Sequence, residues 1–264
     1  SIVILNPGTG WIQNCNSTPF TAAGEFSPKA ENYPFYMAPD AENFRGVHAV
    51  KVLSELDGKL NLDSFLTLAY DPYLPAFQFL LPELLSAYAS ATGKGEVNQA
   101  LEILKQWDLK TSKESVAMSL AHFYGENYQR KFRSMNRFIN EMPNAKKPTP
   151  TEIQEVFEAT LDQMNTDFGT WNTPWGEINR FQRLSGAIDA GFDDEQAYIP
   201  VGLASGNWGA LAAYGARATE STKRLYGYRG NSFVAVVEFG EKVKAKTILA
   251  GGQSADSNSP HFFD

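Results

Sequence analysis

Phe233-Val234-Ala235-Val236-Val237-Glu238-Phe239 is the stretch in which the apolar period of the chain changes. Its β-branched and aromatic side chains suit a pleated surface better than a helix. The near-continuous apolar run predicts a strand buried on both faces. Gly240 and the charged residues after it supply a turn, and Lys244 to Ala250 reads as the neighbouring strand. Further upstream, Gly206 to Tyr214 fits either a strand or a loop.

Further back the period is helical. Val47, Val50, Leu53 and Leu56 recur about every third residue, so the segment after Arg45 reads as a helix. Phe77, Leu80, Leu81, Leu84, Leu85 and Tyr88 form a second stripe, which Pro82 begins or kinks. Val97, Leu101, Leu104 and Trp107 form a third, and Val116, Leu120, Phe123 and Tyr124 a fourth. The clearest helix start is Thr149-Pro150-Thr151-Glu152: Thr149 can cap, Pro150 fits the first helical position, and Glu152 completes a capping box. Ile153, Val156, Phe157, Leu161 and Met164 then share one face. At the other end, residues 2–5 read as a strand broken by Asn6-Pro7-Gly8, with Gly10 to Cys15 as its hairpin partner. The stretch from Pro19 to Asp40 is irregular and long, the kind of loop that is functional or wraps another element. Strand, helical block, strands: the order predicts an α+β fold in which a helical excursion separates two portions of sheet. Within 1–264, residues 1–44 carry strands and the long loop, 45–170 are mainly helical, and 171–264 return to sheet.

Composition narrows the function classes. A length of 264 residues allows one large domain or two ordinary ones. The net charge is −7, and no basic block is long enough to track a phosphate backbone. The densest basic stretch, Arg130-Lys131-Phe132-Arg133 with Arg137, has helical spacing and reads as a solvated face. Cys15 is the single cysteine, which excludes an intrachain disulfide, a zinc ribbon and a CxxC redox motif. No apolar run approaches transmembrane length, and Ser1-Ile2-Val3-Ile4-Leu5 is too short and lacks the basic start of a signal peptide. Both ends of the chain read as cut rather than finished.

Most familiar catalytic signatures are missing. His48, His122 and His261 lie outside metal-ligand spacing of one another, and the first two sit in apolar-periodic helices where packing explains them. There is no GxSxG elbow, P-loop, Rossmann fingerprint or SxxK. Gly251-Gly252-Gln253-Ser254 lacks a following helix signal, so it does not read as a phosphate cradle. Asp193-Asp194-Glu195 lacks the alternation of a calcium loop and reads as solvated surface. The informative segment runs from Asn6 to Phe20. There Asn14 and Asn16 alternate with Cys15 at a strand end, which points both amides to one face. An asparagine amide is a polarised donor that does not titrate, and it suits a developing oxyanion. The same residues, with Ser17, can equally satisfy backbone groups at a turn.

Gly10-Trp11-Ile12-Gln13-Asn14-Cys15-Asn16-Ser17-Thr18-Pro19-Phe20 resembles the segment that carries the oxyanion asparagine in penicillin acylases, acyl-homoserine-lactone acylases and aculeacin-type acylases. Glu42-Asn43-Phe44-Arg45-Gly46, opening a helix, is similar to the same family. So are Gly251-Gly252-Gln253-Ser254 and the run from Ser259 to Asp264, near the family's C-terminus. Trp175-Gly176 with Asn179-Arg180 follows in the expected order, although the family often has His where this chain has Asn179. The resemblance implies the C-terminal part of the large (β) subunit of an N-terminal-nucleophile hydrolase. The implied fold is part of an αββα sandwich with a large helical insertion.

In such enzymes a precursor cleaves itself, and the new N-terminal serine attacks an amide carbonyl with its own α-amine as base. A backbone N–H and the asparagine hold the oxyanion. That asparagine corresponds to Asn16. The arginine that orients the site corresponds to Arg45, whose fork can hold the asparagine carbonyl or a nearby backbone oxygen. Ser1 is not expected to be the nucleophile: it precedes Asn16 by fifteen positions, whereas the family's asparagine lies far downstream. The residues after the family nucleophile also differ from Ile2-Val3-Ile4. The piece is therefore expected to be inactive alone. Its expected partners are the rest of the large subunit and the small subunit of the same precursor, with a small N-acyl amide as substrate and neither nucleic acid nor membrane. The family is periplasmic or secreted. No cofactor is implied; members often bind Ca²⁺, but no ligand set here is convincing. Phe20, Phe26 and Tyr33 can line an acyl pocket or pack in the core. The competing reading is a helical binding or scaffold domain without chemistry.

Overall fold

The computed structural model describes residues 1–56, 60–89, 95–133, 135–140, 142, 145, 147–182, 191–249 and 254–261. The helices follow the apolar stripes. They are α1 (Phe44–Ser54), α2 (Leu62–Ala69), α3 (Pro75–Ala87), α4 (Glu96–Lys105), α5 (Val116–Phe132), α6 (Pro150–Phe168) and the single turn α7 (Trp175–Ile178). The expected capping box opens α6: Thr149 accepts from the Glu152 N–H and the Glu152 carboxylate accepts from the Thr149 N–H. Gly169, in the left-handed region at φ 82°, ends that helix. Pro75 takes the first position of α3, and Pro82 lies inside that helix. α2 was not apparent in the apolar pattern; Asn61 caps it by accepting from the N–H groups of Asp63 and Ser64.

The core is built where α3, α5 and α6 meet. Phe77, Leu80 and Leu84 from α3, Tyr124 and Tyr128 from α5, and Phe157 and Met164 from α6 are fully buried. Tyr124 meets Phe157 edge-on with ring centroids 5.7 Å apart. Trp175 and Trp208 extend this core toward the sheet. Arg137 departs from the expected solvated face. It is 10% exposed and pairs with Glu83 at 2.6 Å, with Tyr128 alongside. Lys131 does stay on the surface, paired with Glu155.

A sheet of order β2-β1-β4-β3 follows α7 directly, formed by β1 (Asn179–Phe181), β2 (Ile199–Pro200), β3 (Tyr214–Arg217) and β4 (Leu225–Gly230). β1 runs antiparallel to β2 and parallel to β4, and β3 is antiparallel to β4 with an irregularity between Gly215 and Ala216. The ambiguous 206–214 segment resolves into a short 3-10 turn, Gly206–Trp208, followed by β3 from Tyr214. β5 (Phe233–Glu238) and β6 (Lys244–Leu249) form the expected antiparallel pair, from Phe233↔Leu249 to Glu238↔Lys244. Ala250 lies outside the described residues. The class is α+β.

Two expectations fail. β5 is not buried on both faces: Val236 is buried, but Phe233 is 60% exposed. The two-strand ribbon has α2 against it, and no further layer among the described residues covers the rest. The N-terminal hairpin is also absent. Residues 2–5 and 10–15 form no ladder, and Val3 and Leu5 are 70% and 81% exposed. Strand propensity without a partner strand leaves only extended chain. The Gln13 N–H donates instead to Ala22 O. The long stretch after it folds into the 3-10 turns Pro19–Thr21, Gly24–Phe26, Ala30–Asn32 and Phe35–Met37.

Candidate functional site

Asn43 is the hinge of the site. It is the N-cap of α1, and its Oδ1 accepts from the Gly46 N–H at 3.0 Å. Its Nδ2 donates to Cys15 O at 3.0 Å and Asn16 O at 3.2 Å. One side chain thus caps the helix and clamps the Cys15–Asn16 backbone to the helix start. Glu42 closes the arrangement. Its Oε1 accepts from the Asn43 N–H at 2.8 Å, its Oε2 accepts from the Thr21 hydroxyl, and its backbone exchanges two 3.0 Å hydrogen bonds with the side-chain amide of Asn140. A Cβ on Gly46 would lie 2.1 Å from Glu42 Oε1 and 2.8 Å from Ser17 Oγ, so a side chain there would displace both. The Glu42-Asn43-Phe44-Arg45-Gly46 motif is therefore one packed polar unit.

Arg45 and Asn16 meet within this unit. Arg45 Nη2 donates to Asn16 Oδ1 at 3.1 Å. Because the guanidinium is donor-only, it fixes which end of the Asn16 amide faces it. The Nδ2 group is left facing away, and it makes no hydrogen bond among the described residues. Asn16 is held in the left-handed region, φ 55°, which few non-glycine residues adopt. Its N–H donates to Asn14 Oδ1 at 2.8 Å. Asn14 Oδ1 thus closes an Asx turn, and because residues 10–15 form no strand, the alternation that predicted both amides on one face does not apply.

The Arg45 stem packs on Gly206, where a Cβ would come 3.1 Å from Arg45 Cδ. Arg45 also lines a polar cleft of about 530 Å³ with Asn43, Asn136, Ser205, Asn207 and Arg229. Asn16 is exposed and stands outside the residues lining that cleft. The amide thus sits neither at a groove floor nor buried under its own loop. Beside it, burial pushes the Cys15 thiol up, with the Arg45 guanidinium opposing and Glu42 reinforcing. A thiol so held is a poor nucleophile.

The remaining candidates separate from this unit. His122 is buried, burial lowers it to about 3, and its Nδ1 accepts from Trp208 Nε1–H at 3.0 Å. His48 is buried on α1, bonded to Gly209 O and Asp71. His261 is exposed, and its backbone pairs with Ser254 and Ser259. Ser1 is exposed, and its side chain makes no hydrogen bond among the described residues. Asp194 is not merely solvated. It accepts from the N–H groups of Lys223 and Arg224 and from the Tyr226 hydroxyl, tying the 193–195 turn to β4. Among the described residues no three His, Cys, Asp or Glu converge to hold a metal ion. Asn179 is fully buried and donates to Val201 O and Leu203 O, and Trp175 Nε1 shares Leu203 O. Phe20 packs against Tyr33 at 6.1 Å, and Phe26 fills the space beside Gly8. Gly251-Gly252-Gln253 and Phe262-Phe263-Asp264 lie outside the described residues. Glu42 and Asn43 stand in the motif that carries the resemblance but had no role assigned from sequence, and Asn140 was not singled out. The Asn43-x-x-Gly46 spacing, an N-cap with its N3 glycine, was the available signal.

Fold and site together define an α+β chain that presents a fixed, neutral amide donor at the N-terminus of a helix. Compared with known families, residues 3–264 match the family model for penicillin amidase. The chain belongs to the penicillin amidase family, whose chemistry is hydrolysis of amides. No helix among the described residues is long and apolar enough to cross a membrane.

Proposed function

We propose that this chain supplies the oxyanion-stabilising side of an N-acyl amide hydrolase. The nucleophilic N-terminal serine and the acyl pocket come from the remainder of the same precursor, namely the rest of the large subunit and the small subunit. The observation that carries the reading is the Arg45–Asn16 bond at 3.1 Å, which consumes the acceptor end of the amide and leaves the donor end free among the described residues. The serine Oγ attacks the amide carbon while the α-amine takes its proton. The carbonyl π electrons move to oxygen, and Asn16 Nδ2–H donates to that oxyanion. The C–N bond then breaks, the amine leaves with the proton, and water hydrolyses the acyl ester.

Exposure of Asn16 supports the further point that this piece is inactive alone. A donor in open water gains little over solvent, and its full effect needs a site from which water is excluded. The substrate class is a small N-acyl amide, with antibiotic and quorum-signal amides both within its chemistry. The compartment is periplasmic or extracellular. The test is amide and N-acyl-lactone hydrolysis by the isolated chain and by the intact processed protein. The intact protein turns substrate over, and Asn16→Ala lowers its kcat by about 10²–10³-fold. The isolated chain does not turn over. Turnover by the isolated chain that is lost in Ser1→Ala contradicts the assignment of the nucleophile.

A further inference from the structure

His48 lies one helical turn after Arg45 on α1 and is fully buried. Its Nδ1 is 2.7 Å from Gly209 O, and its Nε2 is 3.0 Å from Asp71 Oδ1. A backbone carbonyl only accepts, and a carboxylate only accepts. The ring satisfies both partners only when both its nitrogens carry protons; a neutral ring keeps one of the two bonds.

What His48 holds is the wall behind Arg45. Gly209 ends the Gly206–Trp208 turn at φ 100°. A Cβ on Gly209 would fall 2.5 Å from Pro75 Cδ and 2.9 Å from Phe44 O, while one on Gly206 would meet Arg45 Cδ at 3.1 Å. The turn therefore presses on Phe44 and Arg45 with bare backbone at both ends. Trp208 anchors its far side in the core through His122. The His48–Gly209 bond spans 161 positions of sequence and ties this turn to the helix that carries Arg45.

We propose that His48 is a positioning residue for the Arg45 guanidinium, acting through the Gly209 carbonyl. This rests on the reading of Asn16 and Arg45 as the oxyanion element. The groups that face His48 are Asp71, which also accepts from the Tyr73 N–H, and the Tyr73 ring at 5.8 Å. Lys51 lies over that ring and pairs with Glu55. The 206–209 turn contributes no titratable group.

The test uses the intact processed protein and the variants His48→Gln and Asp71→Asn. Gln keeps hydrogen-bonding capacity but cannot lose a proton. His48→Gln should lower kcat by roughly tenfold or more with KM changed less than about twofold, as misplacement of a site group does. Asp71→Asn, which keeps an acceptor facing the ring, should lower kcat less than His48→Gln does. Nitrogen-15 spectra of the wild-type imidazoles give a readout independent of turnover and of mutant folding: His48 Nδ1 should carry the proton that it donates to Gly209 O. An unprotonated His48 Nδ1, or a wild-type kcat in His48→Gln, overturns the proposal. Wild-type activity in Asn16→Ala instead overturns the oxyanion reading, and the spectrum still decides the state of His48.

Discussion

Two regions of this chain are held by different forces. The segment from Asn14 to Gly46 is fixed by side-chain hydrogen bonds to backbone: Asn43 to Cys15 and Asn16, Glu42 to Asn43, Asn140 to Glu42. The helical core is fixed by apolar burial of Phe77, Tyr124 and Phe157. Apolar packing is non-directional and tolerates repacking, whereas a hydrogen-bond clamp specifies which atom faces which. A site that must aim one amide N–H needs the second kind of order. It leans on the first only for rigidity.

The comparison predicts that damage to the core shows in stability and damage to the clamp shows in geometry. The largest effect should be in the core. Phe157→Ala should cost about 3–5 kcal/mol in denaturant unfolding; a loss below about 1 kcal/mol would mean that α6 is not the keystone described here. Acid should act on the core next. His122 is lowered by burial from 6.5 to about 3. Above 6.5 both folded and unfolded states hold it neutral. Below that the unfolded state binds the proton first, so stability falls as pH drops toward 3, by up to about 1.4 kcal/mol per pH unit from this group. His122→Asn, whose carbonyl can still accept from Trp208, should flatten that part of a stability–pH curve.

Effects on the clamp are smaller in stability. Gly46→Ala inserts a methyl against Glu42 and Ser17 and should cost about 1–3 kcal/mol. It should also lower kcat in the intact protein, since the displaced Glu42 shares Asn43 with Asn16; unaltered kcat would dissociate the clamp from the site. Thr149→Ala removes the α6 capping box. It should cost only about 1 kcal/mol in unfolding and leave kcat unchanged.

Sequence showed what is local. The α6 start was legible because its cap, proline and glutamate lie within four positions, and the helical stripes because burial on one face repeats every turn. The β5–β6 pair was legible from β-branched content. Its burial was not, because that depends on whether another layer lies above it. Residues 2–5 carry the same content and pair with no strand among the described residues. The β1–β4 sheet was hidden because Leu225-Tyr226-Gly227-Tyr228-Arg229-Gly230 has no apolar alternation. Within the candidate site, Asn16 and Arg45 emerged from motif resemblance. The parts that join them to the rest, Asn140 to Glu42 across 98 positions and His48 to Gly209 across 161, leave no periodic trace.

The orientation of the Asn16 amide by Arg45 is tested most directly by a double-mutant cycle on kcat in the intact protein, using Asn16→Ala, Arg45→Lys and the pair. If Arg45 acts by aiming Asn16, the double variant is no slower than Asn16→Ala alone, and the coupling nearly equals the whole effect of Arg45→Lys. Losses that multiply independently would mean that Arg45 serves the reaction by some route other than Asn16, and the account would fail.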